Sequence, residues 1–285
     1  MPIHSFSAVK RILGFGLATG VGLIGCLIFD LRLLQAAELQ DIIQRGHLIV
    51  GVKDNVRPLG FRDRQGQLQG FEIDLARRLA ETLLGNPDAL VFRPLANRER
   101  IAAVLEDRVD LTIARVTATG SRSRLVSFSD FYYLDGTVLV TQSPLLGRLS
   151  DVRKQTVAVL RGSSTIATVR YRLPDATLLG VASYVEARSR LEMGEAVAFA
   201  ADVSVLSGWI QEYPQYHLIP AQLSTEPLCA VMPKGLQYDD LRRKVNGAIR
   251  QLKTDGWLSQ RARQWGLPWA NSGWGTQAPE PERLH

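Results

Sequence analysis

The sequence has 285 residues, of which 46% are hydrophobic and 22% charged, and its formal net charge is +6. This length and balance predict a globular chain with one large core or two medium cores, and they exclude a disordered or repetitive protein. Lysine and arginine are interspersed with acidic residues and form no cluster with aromatic residues, so a nucleic-acid partner is not expected.

The cysteines and histidines give no pattern typical of metal binding. The four histidines, His4, His47, His217 and His285, are far apart, and no Cys-x-x-Cys occurs. Cys229 lies in an apolar run, which predicts a small core residue. We therefore expect no metal site and no cofactor.

The N-terminus has the pattern of an export signal over residues 1–37. Two basic residues, Lys10 and Arg11, precede an uncharged stretch from Ile12 to Phe29 that contains five glycines. Three outcomes are open: acylation at Cys26, because residues 23–26 resemble a bacterial lipobox; cleavage after the Gln-Ala-Ala of 35–37; or retention as an anchor. Each places the folded domain in the periplasm or on the outer face of the cytoplasmic membrane.

The first half of the chain alternates strands and helices. The hydrophobic pattern predicts strands at His47–Val52 and Ala89–Phe92, an amphipathic helix at Phe71–Leu84, and a helix that begins at Asn97 and points Leu105 inward. A third strand ends at Ile113. This βαβ order implies parallel pairing.

After Tyr133 the pattern repeats and therefore predicts a second α/β unit, with strands at 138–141, 156–160, 177–181 and 196–200 and helices at 163–173, 184–193 and 203–210. A further strand at 228–232 and helices at 238–254 and 256–265 are expected after this unit. The polar tail over 271–285 is predicted to be disordered.

A hydroxyl-rich turn precedes a single arginine near the centre of the chain. The apolar run ends at Ile113, hydroxyl residues follow from Thr117 to Ser121, and Arg122 stands before a segment predicted as helical, Arg124–Phe128. A guanidinium fork at the mouth of a strand-to-helix turn suits a carboxylate, because the free N–H groups of the turn point to the same place. The alternative is that Arg122 is a solvated surface residue.

The stretch from Asp110 to Tyr133 resembles DLVISGMTITPERKKVVDFSDPYY, a consensus of the periplasmic polar-amino-acid-binding proteins of ABC importers, solute-binding protein family 3. The resemblance covers roughly residues 46–267. It implies an α/β, two-lobed type II periplasmic binding protein fold, in which each lobe is a mainly parallel sheet flanked by helices. The ligand cleft would lie at the hinge.

The resemblance also implies domain boundaries and partners. Residues 46–135 and 228–267 would form the first lobe and residues 136–227 the second, with crossings near 135–137 and 226–227. The implied function is a monomeric extracytoplasmic receptor that delivers an amino acid to an ABC permease and has no catalytic residues.

Five positions match the family's contacts with the ligand's α-carboxylate and ammonium. Arg122 would bind the carboxylate, together with Thr117 and the small turn that contains Ser163 and Ser164. Asp202 would bind the ammonium, although an aspartate there also suits an ordinary helix cap.

The expected side-chain pocket resembles the aspartate/glutamate-binding branch. Lys53 and Arg100 would clamp a second carboxylate, and Tyr184 would contact the same group. Solvated surface charge is the alternative for Lys53 and Arg100. Arg115 departs from the family, where a small residue is usual, and would either add a cation or point to solvent.

Two other functions are open to this scaffold. A cyclohexadienyl or arogenate dehydratase-like enzyme would need a general acid in the cleft, and no matched cleft position offers one other than Asp202. A sensing module of a receptor would need membrane-spanning or signalling segments that the sequence between and after the lobes does not contain.

Overall fold

The computed structural model describes residues 38–269. The predicted export signal over 1–37, Cys26 included, and the predicted tail over 271–285 lie outside the described residues. Within the described part, none of the helices is long and apolar enough to span a membrane.

The elements follow one another in βαβ order along most of the chain. They are α1 (Leu39–Arg45), β1 (Leu48–Val52), β2 (Asn55–Val56), β3 (Gly60–Arg62), β4 (Leu68–Gln69), α2 (Phe71–Leu84), β5 (Leu90–Pro94), α3 (Glu99–Leu105), β6 (Leu111–Ile113), β7 (Ser127–Asp135), β8 (Thr137–Thr141), β9 (Thr156–Leu160), α4 (Thr165–Arg172), β10 (Thr177–Val181), α5 (Tyr184–Glu192), β11 (Ala198–Asp202), α6 (Val203–Glu212), β12 (His217–Ile219), β13 (Glu226–Met232), α7 (Asp239–Thr254) and α8 (Trp257–Gln264).

Two five-stranded sheets form the centres of the two lobes, as the predicted fold class requires. The first has the order β5-β1-β6-β13-β7 and the second the order β10-β9-β11-β8-β12. Each is more mixed than expected, because two of its four pairings are parallel and two are antiparallel. The antiparallel pairs arise where the chain passes from one lobe to the other and back.

Separate apolar cores support the two sheets. In the first lobe α2 buries Ile73, Ala76 and Leu79 against the sheet, and it ends at Gly85, whose φ of +75° suits glycine. In the second lobe the buried rings of Phe199 and Trp209 lie 5.6 Å apart, between β11 and α6.

One segment differs from its predicted conformation, and one side chain differs from its predicted burial. The predicted helix at Arg124–Phe128 is instead a single 3₁₀ turn, Arg122–Arg124, followed by the nine-residue strand β7, which pairs with β13. Leu105, predicted to face the core, is 50% exposed, because α3 is short and buries Ala103 and Val104 instead.

The two crossings between the lobes run side by side. The Thr137 N–H donates to Ser224 Oγ at 2.9 Å, and Gln222 Nε2 donates to the Asp135 carbonyl at 2.9 Å. Gly136, with φ +151°, lies so close to the second crossing that a Cβ would be 1.9 Å from Ser224 O. Only glycine fits at that position.

Candidate ligand-binding site

An ion pair joins the two lobes where their strands end. Arg115, two residues after β6 in the first lobe, places Nη1 2.5 Å from Oδ2 of Asp202, the last residue of β11 in the second lobe. The two side chains are 23% and 25% exposed. Ligands in open α/β sheets bind at the carboxyl ends of strands, so this contact lies at the expected position of the cleft.

A buried carboxylate fixes the backbone of the arginine loop. Glu72 in the first turn of α2 is fully buried, and its Oε1 accepts from the Arg115 N–H at 2.7 Å and from the Tyr132 hydroxyl at 2.5 Å. Burial raises the pKa of the Glu72 carboxyl, and these two hydrogen bonds partly oppose that rise. Burial, and then the neighbouring Glu72, raise the pKa of Tyr132 well above 10, so Tyr132 stays a donor.

The two cations predicted to clamp a second carboxylate bond the protein's own backbone. Arg100 Nη1 donates to the carbonyls of Ala114 at 3.1 Å and Arg115 at 2.5 Å. Lys53 Nζ is buried and donates to the Leu95 carbonyl at 2.7 Å. In this arrangement their nearest acceptors are carbonyl oxygens of the first lobe.

These cations nevertheless form one positive cluster in the first lobe. Burial lowers the pKa of Arg100, and the charges of Arg115 and Arg122 lower it further. Burial likewise lowers the pKa of Lys53, with Arg100 the next cause. An anion nearby would relieve this repulsion.

Arg122 is held against the hydroxyl-rich loop. Its Nη1 donates to the Thr117 carbonyl at 2.8 Å. The loop itself is tied to the second crossing, because Thr117 forms a β-bridge with Leu228 and the Ala118 N–H donates to the Pro227 carbonyl at 3.3 Å. A guanidinium has five N–H donors, so one bond to the loop leaves capacity for a carboxylate.

Ser163 and Ser164 lie beyond the end of β9, the strand next to β11. Ser164 is the N-cap residue of α4, and Ser163 Oγ is buried without a hydrogen-bond partner among the described residues. No hydrogen bond joins either serine side chain to Arg122 or Asp202 in the described part of the chain. The Ser163 hydroxyl can both donate and accept a hydrogen bond.

A cavity of about 520 Å³ lies between the lobes beside the ion pair. Arg115 and Tyr184 line it, and the Tyr184 ring packs edge-on against Phe199 at 5.7 Å and Trp209 at 6.4 Å. Its volume is in the range of small-molecule sites. Its charged lining residues are three arginines and one acid: Arg57, Arg115, Arg188 and Glu212.

Helix α6 of the second lobe lies directly against the first lobe. A Cβ on Gly208 would be 2.3 Å from the Arg57 carbonyl oxygen, and Gln211 Nε2 donates to the Trp265 carbonyl at 2.8 Å. Together with the Arg115–Asp202 pair, these contacts show that the lobes are closed on one another.

Sequence reasoning missed two buried acids and the acid on the cavity wall. Glu72 shares the i, i+4, i+7 register of the buried Ala76 and Leu79, a spacing that could have indicated its burial. Asp135 at the first crossing and Glu212 on α6 gave no such signal. Among residues 38–269 no cluster of His, Cys, Asp or Glu suits a metal ion.

Two closed α/β lobes, each built on a five-stranded sheet and with a cavity between them, define a type II periplasmic solute-binding protein. The family model of the bacterial extracellular solute-binding proteins, family 3, matches residues 48–268, and the chain belongs to that family.

Named relatives and a solved structure agree with this family. The glutamine-binding protein of Geobacillus stearothermophilus is 31% identical over 192 residues, which are 66% of this chain and 73% of that protein. The ABC transporter glutamine-binding protein GlnH of Bacillus subtilis is 27% identical over 221 residues, which are 76% and 80% of the two chains. The structure of an ancestral cationic amino-acid solute-binding protein superposes with a TM-score of 0.69 at 28% identity, covering 80% of this chain and 99% of that one.

Proposed function

We propose that this chain is the extracytoplasmic receptor of an ABC importer and that it carries an amino acid, aspartate or glutamate, to the permease. One observation carries the proposal: a cavity between two closed lobes whose charged lining is mostly arginine. The named relatives support the class, because two are glutamine-binding proteins and one of these belongs to an ABC transporter.

The ligand's α-carboxylate would bind Arg122. Thr117 and the turn at Ser163 and Ser164 would supply the further hydrogen bonds to it. The guanidinium supplies charge-assisted donors, and the buried Ser163 hydroxyl has no hydrogen-bond partner among residues 38–269. The ligand's ammonium would approach Asp202 and share that carboxylate with Arg115. Each polar group of an amino acid would then meet a complementary group when the lobes close.

A second carboxylate on the ligand would be favoured by the cluster of cations. Lys53, Arg100, Arg115 and Arg122 belong to the first lobe, and the buried acid beside them, Glu72, offsets only part of their charge. A neutral side chain would leave part of this charge uncompensated. Because two relatives are named for glutamine, asparagine and glutamine are informative competitors for aspartate and glutamate. Because a similar solved structure is named for cationic amino acids, the basic amino acids should be compared as well.

The remaining parts of the proposal concern location and activity. The proposed protein is an exported monomer, lipid-anchored at Cys26 or free in the periplasm, and it binds its ligand without chemical change.

Isothermal titration calorimetry of the purified 38–269 region with the twenty amino acids tests the proposal. We expect aspartate or glutamate to bind at least about tenfold more tightly than asparagine or glutamine. Arg122→Ala should lower the affinity for every amino acid by about two to three decades, because it removes the contact that all of them would share. Arg124→Ala is the matched control, since Arg124 lies in the same 3₁₀ turn and is exposed.

Three outcomes separate the parts of the proposal. Preferential binding of glutamine or a basic amino acid would remove the acidic ligand and leave the receptor in place. Near-native affinity in the Arg122 variant would place the site elsewhere. Failure of every amino acid to bind the wild type would remove the receptor function for this ligand class.

A further inference from the structure

Arg115 occupies the place where a ligand's ammonium would sit. Its guanidinium bonds the Asp202 carboxylate directly and crosses from one lobe to the other to do so. Burial disfavours charge on Arg115, but the carboxylates of Asp202 and Asp135 outweigh burial and raise the pKa of the guanidinium. The half-buried Asp202 therefore already has a permanent cationic partner.

The backbone of Arg115 is held in an unusual conformation by hydrogen bonds to its N–H and its carbonyl oxygen. Residue 115 has φ +51°, a conformation that non-glycine residues rarely adopt. Its N–H is bonded to the buried Glu72 carboxylate and its carbonyl oxygen to Arg100. A rare backbone conformation of this kind persists only where surrounding contacts stabilise it, and these two hydrogen bonds provide that stabilisation at residue 115.

The Arg115 pair changes whether Asp202 needs a cationic group from the ligand. An unpaired, half-buried carboxylate would require a cation from the ligand, since burying a charge without a partner is costly. Paired with Arg115, Asp202 has no such requirement, because the guanidinium already supplies the positive charge that the ligand's ammonium would bring.

We propose that Arg115 is a specificity-determining residue that replaces the ligand's amino group, so that the site binds carboxylate ligands whether or not they carry an α-amino group. The ligand class would then include short dicarboxylates as well as amino acids. This inference rests on the proposed function, because it concerns the same cleft and the same carboxylate-binding residues.

The test compares each amino acid with the analogue that lacks only the amino group: glutamate with glutarate, and glutamine with glutaramate. Calorimetry should give wild-type affinities within about threefold for each pair. In Arg115→Gly, where glycine suits the positive φ, the amino acid should bind at least about tenfold more tightly than its analogue, because Asp202 then needs the ligand's ammonium. Arg115→Lys keeps the cation and should retain the wild-type ratio.

Arg190→Ala serves as the matched control, because Arg190 lies in the second lobe outside the cavity and pairs with Glu186 and Glu195 rather than Asp202. Its ratio should stay at the wild-type value if the effect belongs to the Asp202 partner and not to the loss of any arginine. A wild type that prefers the amino acid more than tenfold would overturn the inference and leave the receptor intact. An unchanged ratio in Arg115→Gly, with a cooperative unfolding transition, would also overturn it. Absence of binding by both members of both pairs would instead refute the proposed function on which the inference rests.

Discussion

Replacing Asp135 by asparagine should remove a measurable pH dependence from the stability of the closed protein. Asp135 ends β7 at the first crossing, is buried, and accepts from the Ser204 N–H at 3.0 Å and the Ser204 hydroxyl at 2.5 Å at the start of α6. It is therefore the carboxyl group that joins the start of α6 in the second lobe to β7 of the first lobe.

The size of the effect follows from the pKa of this group. Burial, and then the charge of Asp202, raise the pKa of Asp135 from 3.8 to about 6. The folded protein thus keeps a proton that the unfolded chain releases, so this group's stabilising contribution is complete below the unfolded pKa and is lost as pH rises through about 6. The total loss is about 3 kcal/mol, of which about 2 kcal/mol falls between about pH 4.5 and about pH 7.5.

Urea unfolding of the wild type and of Asp135→Asn at several pH values measures this contribution. The wild-type free energy of unfolding minus that of the variant should fall by about 2 kcal/mol across the interval, because the amide does not titrate. Asp130→Asn is the control, since Asp130 is on the same strand but its side chain is 39% exposed and pairs with Arg250. A flat difference for Asp135→Asn, or a rise with pH, would refute the argument.

Two further predictions address closure and export. Gly208→Ala should hold the lobes roughly 1 Å further apart, because its Cβ would be 2.3 Å from the Arg57 carbonyl oxygen, and ligand affinity should fall about tenfold or more. Gly247→Ala on α7, with nothing within 4 Å of the added Cβ, should leave calorimetric affinity unchanged, and equal affinities in the two variants would contradict the closure model. Cys26→Ser should abolish acylation of the exported protein in intact-mass spectrometry, whereas a native protein that begins unmodified at Glu38 would show that Cys26 is not the lipidation site.

Much of the fold could be predicted from local pattern alone. The buried strand at 48–52 is an uninterrupted apolar run, and α2 repeats apolar residues at helical spacing until a glycine ends it. These signals depend on neighbours a few residues apart, so the sequence contains them directly. The motif around Arg122 is likewise a local pattern, which is why it indicated the correct family before any coordinates.

The segment after Arg122 shows where local pattern fails. Its apolar residues suit a helix or a strand equally, and the choice is made by β13, whose backbone pairs with β7 from about a hundred residues further along the chain. The same limit applies to Leu105, whose exposure depends on how far α3 extends over the sheet.

The pairing of the charged side chains in the cleft depends most strongly on tertiary structure. Composition and motif could place Arg100, Arg115 and Asp202 near one site, but not which cation meets which acceptor. Glu72, which is buried, accepts a hydrogen bond from the Arg115 N–H, residue 115 has a positive φ, and its guanidinium pairs with Asp202 of the other lobe. Ion pairing depends on burial and on distances of a few ångströms between groups far apart in sequence, so it is fixed only when the two lobes come together.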